Sequence, residues 1–275
     1  MEKQAFLSPV LKTDTLEHLS LTLIETTNRL NESNKNLLAL KKEREEILAN
    51  ISHDLRAPIN AIRSSLDLFY SSTDHSQEEI ASLFHLINQR TLILESLIQD
   101  MYYLFSLEDP MLSLEMETVQ AALFLEEYFY TATVDHLYSE RNMILDIAED
   151  LDCMIQIDLP KFVRALDNLL TNSAKYSCKG DTITLQAALS PTADSLCIHI
   201  IDTGIGISPD FLPHIFNRTY TVSKARTPGE TSSTGLGLSI VKAVVEKHNG
   251  CICCESKEGK GSRFTITLPL FVCSE

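Results

Sequence analysis

Ile51-Ser52-His53-Asp54-Leu55-Arg56-Ala57-Pro58-Ile59-Asn60 is the stretch that decides how this chain is read. It lies inside a helical pattern. Leu48, Ile51, Leu55, Ile62, Leu66 and Phe69 recur at spacings of three, four and seven, the repeat of one helix face. His53 is expected to face water, with an acid directly after it. Such a pair is an unusual arrangement for a packed core. An imidazole, with an ordinary pKa of about 6.5, is a competent nucleophile near neutral pH. His53 and Asp54 are therefore the candidate reactive pair.

Outward from this stretch the pattern continues in both directions. Toward the N-terminus, Leu16, Leu19, Leu23, Leu30 and Leu37 extend a coiled-coil-like seam from about Thr15,. Asn31, Ser33, Asn34 and Asn36 weaken it locally, and Glu43-Arg44-Glu45-Glu46 reads as a solvated face. Toward the C-terminus, Ser71-Ser72-Thr73-Asp74 ends the helix. A second helix is expected over residues 77–107, with Ile80, Leu83, Phe84, Ile87, Leu94, Leu97, Ile98, Met101 and Phe105 on one face. Asp109-Pro110 breaks it,. Two such helices make a hairpin whose apolar stripe stays exposed unless a second copy covers it. A dimeric four-helix bundle is the expected fold of this part, and a homodimer the expected assembly.

The totals exclude several classes. The chain has 275 residues, 44% apolar and 22% charged, an ordinary globular composition,. Its net charge of -15 argues against nucleic-acid binding, which needs a basic face,. No apolar run approaches the roughly 18 residues of a membrane span. The opening Met1-Glu2-Lys3-Gln4 lacks the order of a signal peptide,. A cytoplasmic location, or a soluble piece of something larger, is expected. Cys251, Cys253 and Cys254 cluster without zinc-ligand spacing,. Cys251 and Cys253 alternate along an expected strand and are read as buried small hydrophobes.

Past residue 110 the texture becomes mixed α/β. Strands are expected over residues 113–119, 143–147, 154–158, 182–189, 196–202, 251–256 and 262–268, and helices over 121–138, 160–176 and 235–248. Strands and helices do not alternate strictly, so a mixed sheet with helices on one face is expected. Within it, Asn168 and Asn172 stand four apart on one helix face,. Their amide oxygens suit Mg²⁺, and Lys175 one turn away suits a phosphate. The same residues also suit a plain solvated helix face. Asp202-Thr203-Gly204-Ile205-Gly206 places an acid and two glycines at a strand end; a carboxylate there can accept from a base amine, and a simple turn reads the same way. Thr234-Gly235-Leu236-Gly237 opens the last helix, where free N–H groups and the dipole favour an anion,. Residues 208–233 lie between, long enough for a functional lid, with basic Arg218, Lys224 and Arg226,.

Taken in order, these stretches resemble the boxes of bacterial two-component sensor histidine kinases. His53-Asp54-Leu55-Arg56-Ala57-Pro58 resembles the H box, residues 168–176 the N box, and Asp202 to Gly206 the G1 box. Ile215-Phe216-Asn217-Arg218 resembles the F box, and Gly235 to Gly237 with Leu238-Ser239-Ile240-Val241-Lys242 the G2 box. The match runs from about residue 45 to 270.

The resemblance implies three parts: an N-terminal segment and signalling coiled coil over 1–44, a dimerisation and histidine phosphotransfer hairpin over 45–109, and an ATP-binding catalytic domain over 110–275. The last would be an α/β (α+β) sandwich of the Bergerat, or GHKL ATPase, type. It implies His53 as phospho-acceptor and Asp54 as the acid beside it, with ATP and Mg²⁺ as cofactors. Asn172 would be the Mg²⁺ ligand. Asn168, Asn172, Lys175, Tyr176, Asp202, Gly204, Gly206, Arg218, Thr234, Gly235, Leu236 and Gly237 would line the nucleotide site. The partner after autophosphorylation would be a response-regulator receiver domain. Two positions depart from the family's pattern. Ala57 stands where Thr or Asn is frequent, which predicts weak phosphatase activity, and Thr219 stands where an aromatic is usual. A Bergerat-fold ATPase or serine kinase, or an inactive dimeric scaffold, are the alternatives.

Overall fold

The computed structural model describes residues 9–71, 75–109, 111–217 and 235–271. Two compact units divide at the histidine motif, Met1–His53 and Asp54–Glu275.

The described residues of the first unit are helix. Helix α1 runs from Pro9 to Tyr70 without interruption through Asn31, Asn34 and Asn36, and continues past Pro58. Leu19, Leu23, Leu30 and Leu37 of the seam are exposed. The hydroxyls of Thr22, Thr26 and Thr27 donate back to carbonyls of the preceding turn, which keeps their polar groups satisfied inside the helix,.

The second unit holds the rest of α1, helix α2 (Gln77–Glu108) and the α/β layers. A capping box starts α2: Ser76 Oγ accepts from Glu79 N at 3.2 Å, and the Glu79 carboxylate accepts from Ser76 N at 2.9 Å,. Five strands form a mixed sheet: β2 (Asn142–Ile147), β4 (Thr182–Leu189), β5 (Ser195–Asp202), β7 (Gly261–Pro269) and β6 (Cys251–Lys257), side by side in that order. β2 runs parallel to β4 and the other pairs are antiparallel. Buried and more open positions alternate along β4, β5 and most of β7, so one face packs and the other is more open,. Helices α4 (Leu159–Lys175) and α5 (Gly237–Lys247) supply the apolar cover. On α4 the buried side chains are Phe162, Ala165, Leu166, Leu169, Leu170, Ser173 and Ala174, a continuous stripe of three-and-one spacings,.

The strands otherwise fall within a few residues of expectation, with three differences. β1 (Glu117–Gln120) and β3 (Met154–Ile157) pair with each other in a separate two-stranded sheet. Their pairing is long-range, so no local pattern announces it. Helix α3 (Ala121–Ala132) stops six residues early. The Asp135 carboxylate accepts from Leu137 N at 2.9 Å and starts a 3₁₀ turn, His136–Tyr138, a local bond that competes with helix. Cys251 and Cys253 are exposed rather than buried. They share a face as expected, but β6 is an edge strand that turns Ile252 and Cys254 inward instead.

The end of α2 belongs to the same core. Leu104 and Leu107 are buried in it. Asp100 pairs with Arg164 of α4 at 2.6 Å, and the Arg164 guanidinium lies 4.4 Å from the Tyr103 ring centroid.

Candidate functional site

Asp202 ends β5 and is 5% exposed. Its Oδ1 accepts from Gly204 N at 3.0 Å and from Ser262 N at 3.2 Å. Burial raises its pKa above the usual carboxylate value, while these two backbone donors favour the charged form,. Both bonds fall on one oxygen, which leaves Oδ2 able to accept from a ligand.

The loop after Asp202 is shaped by backbone packing. Tyr176 O, at the end of α4, accepts from Ile205 N at 3.1 Å, and a β-carbon on Gly204 would lie 2.2 Å from that oxygen. Gly206 has φ +69, and its β-carbon would meet Lys257 O at 2.1 Å. Ile205 O accepts from Gly259 N at 2.7 Å, and Ser256 Oγ accepts from Ile207 N at 2.8 Å. The loop is thus pinned between α4 and the β6–β7 turn.

Asn168 and Asn172 lie half-buried one turn apart on α4. Asn168 Nδ2 is buried without a hydrogen-bond partner, and its Oδ1 would lie 3.4 Å from a β-carbon on Gly237. Lys175 Nζ stands 5.7 Å from the Tyr176 ring centroid. Gly235 takes φ +64, a left-handed turn that leads through buried Leu236 into α5,. Helix α5 therefore begins at Gly237, two residues later than expected, with no side-chain cap. The structure brings Asn168, Asn172, Lys175, Tyr176, Asp202, Gly204, Gly206, Gly235, Leu236 and Gly237 into one unit, joined through α4. Arg218 and Thr234 lie outside the described residues, as does most of the expected lid. Just before it, Ile215 is buried and the Phe216 ring meets Phe264 edge-on at 6.4 Å.

His53 closes the first unit. It is exposed on α1, and Asp54 after it is half-buried.

Two family models match the chain. One describes a His Kinase A (phospho-acceptor) domain and covers residues 43–110. The other describes a histidine kinase-, DNA gyrase B-, and HSP90-like ATPase and covers residues 157–271. This chain belongs to the two-component sensor histidine kinases. Sensor histidine kinase WalK of Bacillus subtilis is 33% identical over 234 residues, 84% of this chain and 37% of the relative. Sensor protein kinase WalK of Staphylococcus aureus is 30% identical over 230 residues, 84% of this chain and 54% of the relative. The chain therefore spans about a third to a half of the curated relatives it matches. The solved histidine kinase AdeS of Acinetobacter baumannii shares the fold, with a TM-score of 0.60 at 22% identity over 80% of this chain and 98% of that one.

Sequence reasoning passed over several residues that build this candidate site. Ser256 and Ser262 share a hydrogen bond at 3.1 Å beneath the Asp202 loop. Gly261 has φ +91, and a β-carbon there would meet Asp202 O at 1.9 Å. The spacing Gly259-Lys260-Gly261 before the last strand was the available signal, a turn cue between two strands,. Ser173 on α4 and Ser177 just past its end gave no signal, since serine at such places is commonplace.

Proposed function

We propose that this chain is an ATP-dependent protein histidine kinase. It phosphorylates itself on His53 and passes the phosphoryl group to an aspartate of a response-regulator receiver domain. The three parts are those of residues 1–44, 45–109 and 110–275. The observation that carries the reading is His53, an exposed imidazole followed by an acid on α1, in a chain whose other unit holds a buried carboxylate with an open oxygen.

Asp202 Oδ2 accepts from the exocyclic amine of adenine. Asn168, with its unpartnered amide N–H, and the uncapped start of α5 at Gly237 serve the phosphates,. Lys175 and Tyr176 close the same side. Asn172 offers one hard amide oxygen, which fits Mg²⁺, an ion that keeps waters and shares phosphate oxygens. Bound there, Mg²⁺ would neutralise charge on the triphosphate. Arg218 and Thr234 complete the set of nucleotide contacts.

Phosphoryl transfer needs in-line placement and charge neutralisation more than covalent help from the protein. A ring nitrogen of neutral His53 forms the new N–P bond as the bond from the γ-phosphorus to the bridging oxygen breaks, and ADP leaves. Asp54 holds the imidazole tautomer and takes the proton that the charged ring releases.

A second copy of the chain supports the hairpin. Phe84, Ile98 and Tyr102 on α2 are 67%, 51% and 76% exposed, and they recur at helical spacing. A four-helix bundle buries them, at roughly 1.5–3 kcal/mol for each side chain fully covered.

Incubation with labelled ATP and Mg²⁺ tests the reading. The expected product is acid-labile, base-stable phosphate on the protein. His53→Gln should abolish it while leaving ATP affinity unchanged. Label that persists in His53→Gln, or none in the wild type despite bound ATP, would overturn the assignment.

A further inference from the structure

Seven side-chain polar atoms among the described residues are buried without a hydrogen-bond partner, and two of them are the hydroxyls of Ser173, on α4, and of Ser177, just past its end. Ser173 is 2% exposed and Ser177 is 6% exposed. A buried hydroxyl with no partner costs free energy in the empty protein. Such a cost is tolerated where a ligand supplies the missing partner.

The two serines differ in what they face. Ser177 Oγ lies against the Gly204 backbone, 3.0 Å from where a β-carbon would sit, so the loop itself fills its surroundings. Ser173 lies beside the Asp202 carboxylate, close enough for its hydroxyl dipole to favour the charged form, but without a hydrogen bond of acceptable geometry. Its neighbours Leu169, Leu170 and Ala174 offer no acceptor from their side chains. The Asp202 carboxylate beside it is the group assigned to the base.

We propose that Ser173 is a specificity-determining residue for the nucleotide: its hydroxyl donates to the ring nitrogen next to the amine that Asp202 accepts from. Adenine presents an amine donor and a ring-nitrogen acceptor side by side. A fixed carboxylate acceptor and a rotatable hydroxyl donor match that pair. Guanine presents a carbonyl in place of the amine, so Asp202 repels it whatever Ser173 does. The pair therefore reads one edge of the base, Asp202 rejecting the wrong base and Ser173 strengthening the right one. This inference rests on the nucleotide reading of the site given above.

The test uses the full chain with ATP alone, read by calorimetry, and the melting temperature of the nucleotide-free protein. Ser173→Ala should weaken ATP binding about five- to tenfold, the worth of one hydrogen bond. The same change should leave the empty protein's melting temperature equal or higher, because an orphaned polar group is removed. Ser173→Cys, similar in shape but a weak donor, should lose most of the same affinity. Equal ATP affinity in wild type and Ser173→Ala overturns the proposal. So does a fall in melting temperature of the empty Ser173→Ala protein, which would make the hydroxyl a packing group. Wild-type protein that binds no ATP overturns instead the nucleotide reading on which the proposal stands.

Discussion

At Gly204 a β-carbon would meet the Tyr176 carbonyl oxygen at 2.2 Å, while at Gly237 the nearest atom, Asn168 Oδ1, would lie at 3.4 Å. In sequence the two stretches look alike: each has two glycines around one apolar residue, next to a helix or a strand. Their glycines answer different demands. Gly204 and Gly206 are needed because backbone runs against backbone, at Tyr176 and at Lys257. Gly237 stands against a side chain at ordinary contact distance, with the uncapped helix end beside it. The first loop is a piece of packing that aims Asp202. The second keeps space open next to Asn168. A glycine-rich motif therefore has to be read by what its missing side chain would touch.

The largest expected effects lie in the first loop and in the start of β7 packed against it. Gly261→Ala combines a φ of +91 with a β-carbon 1.9 Å from Asp202 O. Overpacking of this kind costs about 3 kcal/mol. Chemical denaturation should show the loss, and Gly204→Ala should behave the same way. A full-stability Gly204→Ala protein would erase the contrast between the two loops. Next comes the link between α4 and α2. Arg164 sits one turn before Asn168 on α4, pairs with Asp100 at 2.6 Å and lies on the Tyr103 ring. The pair is partly exposed, so Arg164→Ala should cost about 1–2 kcal/mol. An Asp100–Arg164 double-mutant cycle would isolate the coupling, and a value of zero would mean that the end of α2 is held to the α/β layers by the burial of Leu104 and Leu107 rather than by this pair.

Gly237→Ala is the complementary case. Its stability should change by less than about 0.5 kcal/mol, because alanine suits the first turn of a helix better than glycine and meets no backbone. ATP affinity should nonetheless fall, by about tenfold, since the methyl group enters the space beside Asn168. Calorimetry with ATP on this variant and on a still-folded Gly204→Ala protein separates the loops most directly. Loss of stability without loss of affinity at Gly237 would reverse the assignment of the two.

The same distinction explains what could be read in advance. Asn168 and Asn172 were legible because two amides four apart interrupt an otherwise apolar helix pattern. Asp202 was legible because an acid closes a strand of alternating hydrophobics. The facing of Cys251 and Cys253 was not, because alternation says which residues share a side and not which side is covered. Ser173 and Gly261 were not legible either. Their roles depend on Asp202, 29 and 59 residues away in sequence, brought to them only by the packing of α4 and the pairing of β5 with β7. Local chemistry marks the residues proposed to meet the nucleotide, whereas the residues that aim them are defined by tertiary contact.

The smallest effect concerns the far end of α5, whose near end is Gly237. His248 caps it and is buried. Its Nε2 accepts from Asp158 N at 2.9 Å, and its Nδ1–H donates to Val244 O at 2.7 Å. Both ring nitrogens are thus committed in the neutral form, and a second proton on Nε2 would point at the Asp158 N–H. Burial accordingly lowers the pKa below the ordinary 6.5, although the charge of Asp158 opposes the shift. The unfolded chain then binds more protons than the folded one between the lowered value and 6.5, so stability is full above about pH 6.5 and falls as pH drops through that window. His199, half-buried beside Arg263, shifts the same way. Asp202 and Asp167, whose pKa values are raised, act in the opposite sense at lower pH. Stability measured from pH 7.5 to 5.5 should therefore decline in the wild type, and decline less steeply in His248→Gln at its own lower baseline. An unchanged slope in that variant would assign the decline to His199, and would leave α5 held at its far end by apolar packing against Phe162 rather than by the two bonds of the imidazole.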